Sequence, residues 1–234
     1  MADEPRELAP WLRRMVDFIL AETTPTTLPH VPEITLRLAA ESVPLWEKIE
    51  NELGPRPGPP YWGFAWAAGL ALARHLIDHP ALVAGRRVLD FGSGSGLTAI
   101  AAAMSGAAHV LAADVDPLAV VALSLNADAN GVAIEATAAD FLADGTFDPA
   151  AVDVVLAGDV FYDPTFAPRA VAFLARCRAA GCEVLVGDPG RAALPVARLE
   201  KLSDRPVPVT RGCQHVAAIA DYELHAATVW RFLG

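Results

Sequence analysis

The sequence has few cysteines, few basic residues and no long apolar run, and each shortage narrows the classes of protein that fit. Three cysteines in 234 residues are too few for a disulfide framework, so we expect a reducing, cytoplasmic setting. The 18 basic residues are outnumbered by 28 acidic ones, and the net charge of −10 argues against a nucleic-acid partner. No apolar run is long enough to span a membrane, and residues 1–5 lack the basic start of a signal peptide.

A glycine-rich turn is the most informative motif that the chain does contain. The predicted strand Arg87–Phe91 runs into residues 90–96, DFGSGSG, and an alanine-rich helix begins at Leu97. Glycines at such a turn permit positive φ and close approach of a ligand, and a helix start offers free N–H groups. The turn lacks the Lys-Ser/Thr of a phosphate-binding loop and the G-x-G-x-x-G of a dinucleotide site. The alternative is a turn that only packs a helix on a sheet.

The pattern D-x-G-x-G-x-G resembles motif I of the Rossmann-like methyltransferases. This resemblance implies S-adenosylmethionine as cofactor, with S-adenosylhomocysteine as product. The residues of the turn that we expect to bind or support the cofactor are Asp90, Gly92, Ser93, Gly94 and Gly96. Asp90 would orient the turn and the methionine amino group.

Strand and helix patterns alternate after residue 86, which predicts a mainly parallel sheet. We expect an α/β fold with a Rossmann-like, seven-stranded class I methyltransferase sheet, helices on both faces and an N-terminal helical extension. The last two strands would form an antiparallel edge hairpin. Predicted strands are Arg87–Phe91, His109–Asp114, Ile134–Ala138, Asp153–Gly158, Glu183–Gly187, Val207–Arg211 and Ala227–Phe232. Predicted helices are Leu97–Ser105, Pro117–Asn130, Phe166–Ala180 and Arg191–Leu202.

The first quarter of the chain differs in composition. Residues 1–59 are predicted to be a helical extension and proline-rich linker, and residues 60–234 the S-adenosylmethionine-binding domain. Helices are expected at Arg6–Ala21 and Pro44–Leu53, a loop at Thr23–Pro32, and either a strand or a short helix at Glu33–Leu38. A further helix, residues 67–78, is preceded by Trp66, which either borders the cofactor pocket or packs in the core.

Acidic residues follow the first five predicted strands, where ligands of parallel sheets bind. The preference of turns for aspartate explains some of them. Asp114 lies 18 residues after Gly96, close to the spacing of a carboxylate that holds ribose hydroxyls. Asp116 precedes a proline and should cap the next helix. Asp140 would accept from the adenine amine, and Phe141 would supply an apolar wall.

The segment Asp159-Val160-Phe161-Tyr162-Asp163 follows the fourth strand with a D-x-x-Y pattern. It resembles the post-II motif of the family-16, seven-strand protein lysine methyltransferases. Further matching segments occur in the same order between Pro60 and Trp230, including Pro60-Tyr61-Trp62, Gly187-Asp188-Pro189-Gly190-Arg191 and Thr228-Val229-Trp230. The chain departs from the family at Ala67-Ala68-Gly69, where Pro-Gly-Gly is more common, and in the loop between the last strands.

The resemblance implies an S-adenosylmethionine-dependent protein lysine N-methyltransferase whose substrate is the beta subunit of electron transfer flavoprotein. Asp159 would orient the target amine rather than act as a strong base, because a carboxylate favours the ammonium form. Tyr162 and Phe161 would wall the lysine channel. The alternatives are a small-molecule N-methyltransferase and a non-catalytic cofactor-binding regulator. We expect a monomer without nucleic-acid or membrane partners.

No metal site is expected. His75 and His79 lie one helical turn apart but lack the glutamate of the metalloprotease motif and an evident third ligand. Cys213 and His215 form a single pair.

Overall fold

A computed structural model describes residues 9–55, 58–143, 145–207 and 226–234. The helices are α1 (Pro10–Glu22), α2 (Ser42–Leu53), α3 (Ala67–Asp78), α4 (Leu97–Met104), α5 (Pro117–Ala129) and α6 (Ala167–Ala179). The strands are β1 (Thr24–Leu28), β2 (Val31–Leu38), β3 (Arg87–Phe91), β4 (His109–Ala113), β5 (Glu135–Thr137), β6 (Val154–Gly158), β7 (Glu183–Asp188), β8 (Leu199–Pro206) and β9 (Ala226–Phe232). In this part of the chain, no helix is long and apolar enough to cross a membrane.

A seven-stranded sheet with the order β5-β4-β3-β6-β7-β9-β8 forms the centre of the fold. Strands β3 to β7 pair in parallel, and β9 pairs antiparallel with both β7 and β8. The chain moves outward from β3 to β5 and then crosses back to β6 on the other side of β3. A ligand crevice is expected at this reversal, outside the carboxyl ends of the strands.

Strand β6 shows why the middle of the sheet forms as predicted. Its run Val154-Val155-Leu156-Ala157 is fully buried, which is typical of a parallel strand covered on both faces. Helices α3 and α4 contribute to the buried cluster on one face, and α6 contributes to the cluster on the other. The predicted α/β fold is therefore confirmed, and the predicted elements from residues 67 to 187 lie within two residues of the observed ones.

The N-terminal segment contains a β-hairpin in addition to its two helices. The predicted loop Thr23–Pro32 is wrong because it includes β1, and the undecided segment Glu33–Leu38 is part of β2. Threonines favour extended backbone, and Pro25 is tolerated because an edge strand needs no donor on its free side. The predicted start of α1 at Arg6 falls outside the described residues.

The hairpin is fixed to α5 by an asparagine that imitates a neighbouring strand. Asn130 Oδ1 accepts from the Thr35 amide at 3.0 Å, and its Nδ2 donates to the Thr35 carbonyl at 2.7 Å. These contacts satisfy both backbone groups of Thr35 on the outer side of β2. The N-terminal segment is thus joined to the helix that begins beside the glycine turn.

The C-terminal end of the sheet departs from the predicted elements. The predicted helix Arg191–Leu202 is wrong: Val196–Arg198 form a 3₁₀ turn and β8 follows directly. Pro195 explains this, because proline inside a helix removes a donor and clashes with the preceding turn. The predicted strand Val207–Arg211 is also wrong at its described residue, Val207, and its other residues are not described. An antiparallel pair at the sheet edge is confirmed, but its first strand is β8 instead of the predicted Val207–Arg211.

Candidate cofactor and substrate site

A cavity of about 690 Å³ lies at the carboxyl ends of the central strands, the place that the strand order indicates. Its size is typical of a small-molecule site. Two of the predicted site residues, Asp90 and Gly96, do not line it. The predicted residues that do line it are Trp66, Gly92, Ser93, Gly94, Asp114, Asp140, Phe141, Asp159 and Tyr162.

The glycine turn uses left-handed backbone at three positions. The φ angles are 70° at Gly92, 54° at Gly94 and 84° at Gly96. A Cβ at Gly96 would lie 2.8 Å from the Leu123 side chain, so this glycine permits close packing against α5 instead of contacting a ligand. Gly92 and Gly94 face the cavity, and at these two positions a ligand can approach the main chain.

Asp90 supports the turn from behind the cavity wall. Its carboxylate accepts from Ser93 Oγ at 2.6 Å, from Thr98 Oγ1 at 2.9 Å and from the Ala99 amide at 3.1 Å. Burial raises the pKa of Asp90 to about 6, and the three donors oppose this rise. These contacts fit the predicted orientation of the turn. The predicted contact with the methionine amino group is not favoured, because Asp90 is buried and does not line the cavity.

Asp114 closes the next wall of the cavity. Its Oδ2 accepts from the Gly94 amide at 2.8 Å, and its Oδ1 accepts from the Asp116 amide at 3.0 Å. Burial raises the pKa of Asp114, and these two amides oppose the rise. Asp116 accepts from the Leu118 amide and is the N-cap of α5, which confirms its predicted capping role. The Asp114 carboxylate is thus held rigidly beside the glycine turn.

Asp140 and Phe141 follow β5 at the far side of the cavity. Asp140 is exposed, accepts from the Leu142 amide at 2.9 Å and lies 3.7 Å from Arg169. The Phe141 ring is buried and stacks on Phe147 with centroids 4.6 Å apart. Their placement is compatible with a polar acceptor and an apolar wall for one flat ring.

Asp159 occupies the end of β6 in an uncommon conformation. Its φ is 56°, and among the described residues it is the only non-glycine residue with a positive φ. Such a backbone conformation often marks a functional site. The carboxylate forms a two-point ion pair with Arg191: Nε lies 2.8 Å from Oδ1, and Nη2 lies 2.9 Å from Oδ2. The sequence interpretation missed Arg191 as a site residue, although it ends the matched Gly-Asp-Pro-Gly-Arg segment.

Asp188 shapes the turn that presents Arg191. Its Oδ1 accepts from the Gly190 amide at 2.6 Å and from the Arg191 amide at 2.7 Å. The residue is fully buried, and burial raises its pKa to about 6. Asp188 therefore supports Arg191 rather than contacting a ligand directly.

Aromatic rings surround the mouth of the cavity near Asp159. Tyr61 lies 5.2 Å from Tyr162 and 5.7 Å from Trp66 between ring centroids, and Trp66 Nε1 donates to the Tyr61 carbonyl at 2.9 Å. Burial raises the pKa of both tyrosines, although Tyr162 is still 45% exposed. Trp66 both packs on its neighbours and borders the cavity. Phe161, the other predicted wall residue, is in the core at 1% exposure, so that prediction is wrong.

Close approach of α3 to the strand ends brings Trp66 to the cavity. A Cβ at Gly187 would lie 2.4 Å from the Ala68 carbonyl oxygen, and a Cβ at Gly158 would lie 3.5 Å from the Gly69 Cα. Only a glycine at position 187 permits this separation, whereas a Cβ at position 158 would make ordinary van der Waals contact. Trp66, the N-cap of α3, is therefore placed beside the cavity even though Ala67-Ala68-Gly69 differs from the more common Pro-Gly-Gly.

The described groups give no metal centre. No three His, Cys, Asp or Glu side chains among the described residues are grouped to hold a metal ion. The His75 and His79 rings are 4.4 Å apart, and His75 Nδ1 lies 3.1 Å from Ser203 Oγ on β8. Cys213 and His215 lie outside the described residues.

Asn126 connects the N-terminal hairpin to the glycine turn. It is fully buried, its Nδ2 donates to the Ser95 carbonyl at 2.9 Å, and its Oδ1 accepts from the Arg37 amide at 2.7 Å. Asn126→Ala should weaken S-adenosylhomocysteine binding on the order of tenfold, because the turn loses a buried hydrogen bond. Calorimetric titration measures this change.

Asn130→Ala is the matched control for that prediction. It removes hydrogen bonds between the same hairpin and α5, but Asn130 does not contact the glycine turn. Thermal unfolding of both variants separates loss of stability from loss of binding. Equal affinities in the Asn126 and Asn130 variants would contradict the proposed support of the turn.

Comparison with known proteins agrees with the class that the fold and site define. The family model "Ribosomal protein L11 methyltransferase (PrmA)" matches residues 75–160. The structure of the T. thermophilus 16S rRNA N2 G1207 methyltransferase RsmC, in complex with AdoMet and guanosine, aligns with a TM-score of 0.52 and 20% identity over 73% of this chain and 44% of that one. The fold is that of the class I S-adenosylmethionine-dependent methyltransferases.

Curated relatives give the family. The electron transfer flavoprotein beta subunit lysine methyltransferase of Xenopus laevis is 39% identical over 214 residues, which are 90% of this chain and 79% of that protein. The protein of the same name from Danio rerio is 43% identical over 163 residues, 69% of this chain and 61% of that one. The chain belongs to the electron transfer flavoprotein beta subunit lysine methyltransferase family.

Proposed function

We propose that this protein transfers a methyl group from S-adenosylmethionine to a lysine Nε of the electron transfer flavoprotein beta subunit. Gly92, Gly94 and Asp114 form one wall of the cavity, which we call the cofactor cradle. The observation that carries the proposal is that a single cavity joins this cradle to Asp159, Tyr61 and Tyr162. The relative of this name from Xenopus laevis is similar over 90% of this chain, which supports the proposal.

The residues of the cradle have the chemistry that S-adenosylmethionine needs, namely an accessible backbone and a carboxylate with free lone pairs. Gly94 has left-handed backbone, and a Cβ there would project toward Trp62, whose Cα is 3.9 Å away. The Asp114 oxygens each accept one amide hydrogen bond and keep lone pairs that vicinal hydroxyls can donate to. When bound, S-adenosylmethionine supplies an electrophilic methyl group on a positively charged sulfur. Residues Asp114, Gly92, Gly94, Asp140 and Phe141 would hold it.

The residues around Asp159 suit a reaction that depends on positioning. Methyl transfer is an in-line displacement, so alignment of the amine with the methyl group contributes most of the catalysis. Asp159 would accept a hydrogen bond from the amine, and Tyr61, Trp66 and Tyr162 would enclose its alkyl stem. Phenols have an ordinary pKa of about 10, and burial raises the pKa of both tyrosines further, so both stay neutral near pH 7 and can donate or accept hydrogen bonds without adding charge.

Ribosomal protein L11 is the second candidate substrate, because one comparison names a methyltransferase that acts on it. The ribosomal protein L11 methyltransferase family model matches residues 75–160, and the Symbiobacterium thermophilum protein of that name is 38% identical over 136 residues. The matched range contains the cofactor cradle and Asp159 but not Arg191. It therefore speaks more for the cofactor than for the substrate.

Transfer of radiolabelled methyl groups to purified candidates tests the proposal. We expect label in the electron transfer flavoprotein beta subunit and not in ribosomal protein L11 or a panel of small amines. Label in L11 or in a small amine alone would assign a different substrate, and no label in any would favour a non-catalytic regulator.

We further propose a cytoplasmic monomer without nucleic-acid or membrane partners, and light scattering after gel filtration tests the monomer.

Ionic strength should affect the protein substrate selectively. Five acidic residues and one basic residue, Arg191, are among the described residues that line the cavity. The acidic residues are Asp114, Asp116, Asp140, Asp159 and Asp163. This field attracts a lysine-bearing segment, and salt screens it as the Debye length falls from about 10 Å at 0.1 M to about 3 Å at 1 M. We expect kcat/KM to fall with salt while kcat changes little. A kcat/KM that is indifferent to salt would leave the acidic lining without a role in recognition.

A further inference from the structure

The ion pair between Asp159 and Arg191 is held by more than attraction between its charges. The two side chains are only 11% and 7% exposed, and they meet through two parallel hydrogen bonds. The left-handed backbone of Asp159 points its carboxylate at this partner, and Asp188 fixes the turn that carries Arg191. A two-point arginine–carboxylate pair of this kind is both directional and strong.

The chemistry of the proposed function makes this pair informative. An amine attacks a methyl group only when it is neutral, whereas free lysine has a pKa of about 10.4. A bare carboxylate beside the amine would stabilise its ammonium form and raise that pKa further. An acid placed to orient the amine would therefore oppose the reaction unless its charge were compensated.

We propose that Arg191 is a charge-compensating positioning residue, which lets Asp159 orient the target amine without holding it as an ammonium ion. The inference rests on the proposed function and assigns Arg191 a role in it. Proton loss from the lysine goes to solvent before methyl transfer, and the neutral nitrogen then forms the new N–C bond as the S–C bond breaks. The guanidinium remains protonated throughout, because arginine does not lose its proton in proteins.

Hydrogen-bond capacity allows Asp159 to serve both partners. Each carboxylate oxygen accepts one bond from Arg191, and each has a second lone pair. Asp159 lines the cavity, so an amine N–H can reach one of these lone pairs without displacing the guanidinium. Orientation is kept while the net charge of the pair stays near zero.

Several other ionisable groups face the pair and must be considered in any pH experiment. Tyr162 and Asp163 follow Asp159 on the same loop, Tyr61 contacts Tyr162, and Asp188 lies at the end of β7. Arg191 is the one cation among the described residues that line the cavity. Its replacement therefore leaves the carboxylates facing the amine without local compensation.

The pH dependence of kcat tests the proposal, because it reports ionisation within the enzyme–substrate complex. Arg191→Gln should move the acidic limb of the profile to higher pH by about one unit or more, since the bound amine gains a proton more readily. Arg191→Lys keeps the charge and should keep the limb near that of the wild type. Arg87→Gln removes a comparable two-point pair, with Asp153, at the opposite end of the sheet and should not move it.

The Asp159→Asn/Arg191→Gln double variant removes both charges together. Its acidic limb should return to the wild-type position while kcat stays low, because orientation is lost but no net charge is left. It also avoids an unpaired buried carboxylate, so it remains informative if Arg191→Gln alone fails to fold. If the acidic limb of the double variant instead lies about one pH unit below that of the wild type, the negative charge of Asp159 is not compensated in the wild-type protein.

The remaining outcomes are equally decisive. The inference is overturned if the acidic limb does not move in folded Arg191→Gln. It is also overturned if the shift caused by Arg191→Gln disappears when Asp188→Asn is added, because the group that titrates would then be Asp188. S-adenosylhomocysteine binding confirms that each variant retains its cofactor site. Absence of methyl transfer by the wild-type protein would instead reject the proposed function.

Discussion

Asp114→Ala and Gly94→Val should each reduce S-adenosylhomocysteine affinity on the order of a hundredfold or more while the protein stays folded. Asp114 would lose two charged hydrogen bonds to ligand hydroxyls, each worth about 1.5–3 kcal/mol. At Gly94, valine would face left-handed backbone with φ of 54° and a side chain projecting into the cradle. Isothermal titration calorimetry measures the affinity.

Backbone strain needs its own control in this experiment. Gly85 also has positive φ, 71°, but a Cβ there meets nothing within 4 Å and the residue does not line the cavity. Gly85→Val should therefore lose about as much stability as Gly94→Val does, but it should retain its affinity for the cofactor. Wild-type affinity in both cradle variants would remove the assignment of this cavity to the cofactor.

Asp159→Asn should keep cofactor affinity within about twofold and lose methyl transfer by on the order of a hundredfold or more. Asparagine tolerates the left-handed conformation that this residue adopts, whereas Asp159→Ala adds backbone strain to the loss of the carboxylate. The amide retains the shape of the side chain but leaves the Arg191 charge without its partner. A cationic lysine would then be repelled from the place where it must be oriented.

Asp163→Asn is the matched control for Asp159→Asn. Asp163 also lines the cavity, but its Oδ1 accepts from the Thr165 amide and hydroxyl at 2.7 Å instead of pairing with Arg191. We expect its methyl transfer to remain within a few fold of wild type. Near-wild-type turnover by Asp159→Asn would show that the D-x-x-Y carboxylate does not serve the reaction.

Local patterns predicted the cofactor half of the site because its residues are close in sequence. The strand β3, the glycine turn and Asp114 depend on glycine conformations, helix starts and buried strands that a short window reveals. The separate roles of Asp114 and Asp116 followed from spacing and from the proline after Asp116. The structure confirms Asp116 as the helix cap and places Asp114 at the cavity, while the contact of Asp114 with ribose hydroxyls stays a prediction.

Long-range contacts explain what the sequence did not reveal. Arg191 meets Asp159 across 32 residues, and Asn126 joins the hairpin to Ser95, so neither role has a local signal. Strand β8 has the charged composition of a helix, but pairing with β9 determines its structure. Phe161 and Tyr162 are adjacent, yet the backbone turn after Asp159 buries one and leaves the other at the cavity.

The central claim is tested most directly by mass spectrometry of the electron transfer flavoprotein beta subunit after incubation with this protein and S-adenosylmethionine. Peptide fragmentation should locate added methyl groups on lysine Nε, and an Asp159→Asn preparation of the same concentration should add almost none. The account is contradicted if the subunit gains no mass, if methyl groups appear on another residue type, or if both preparations methylate it equally.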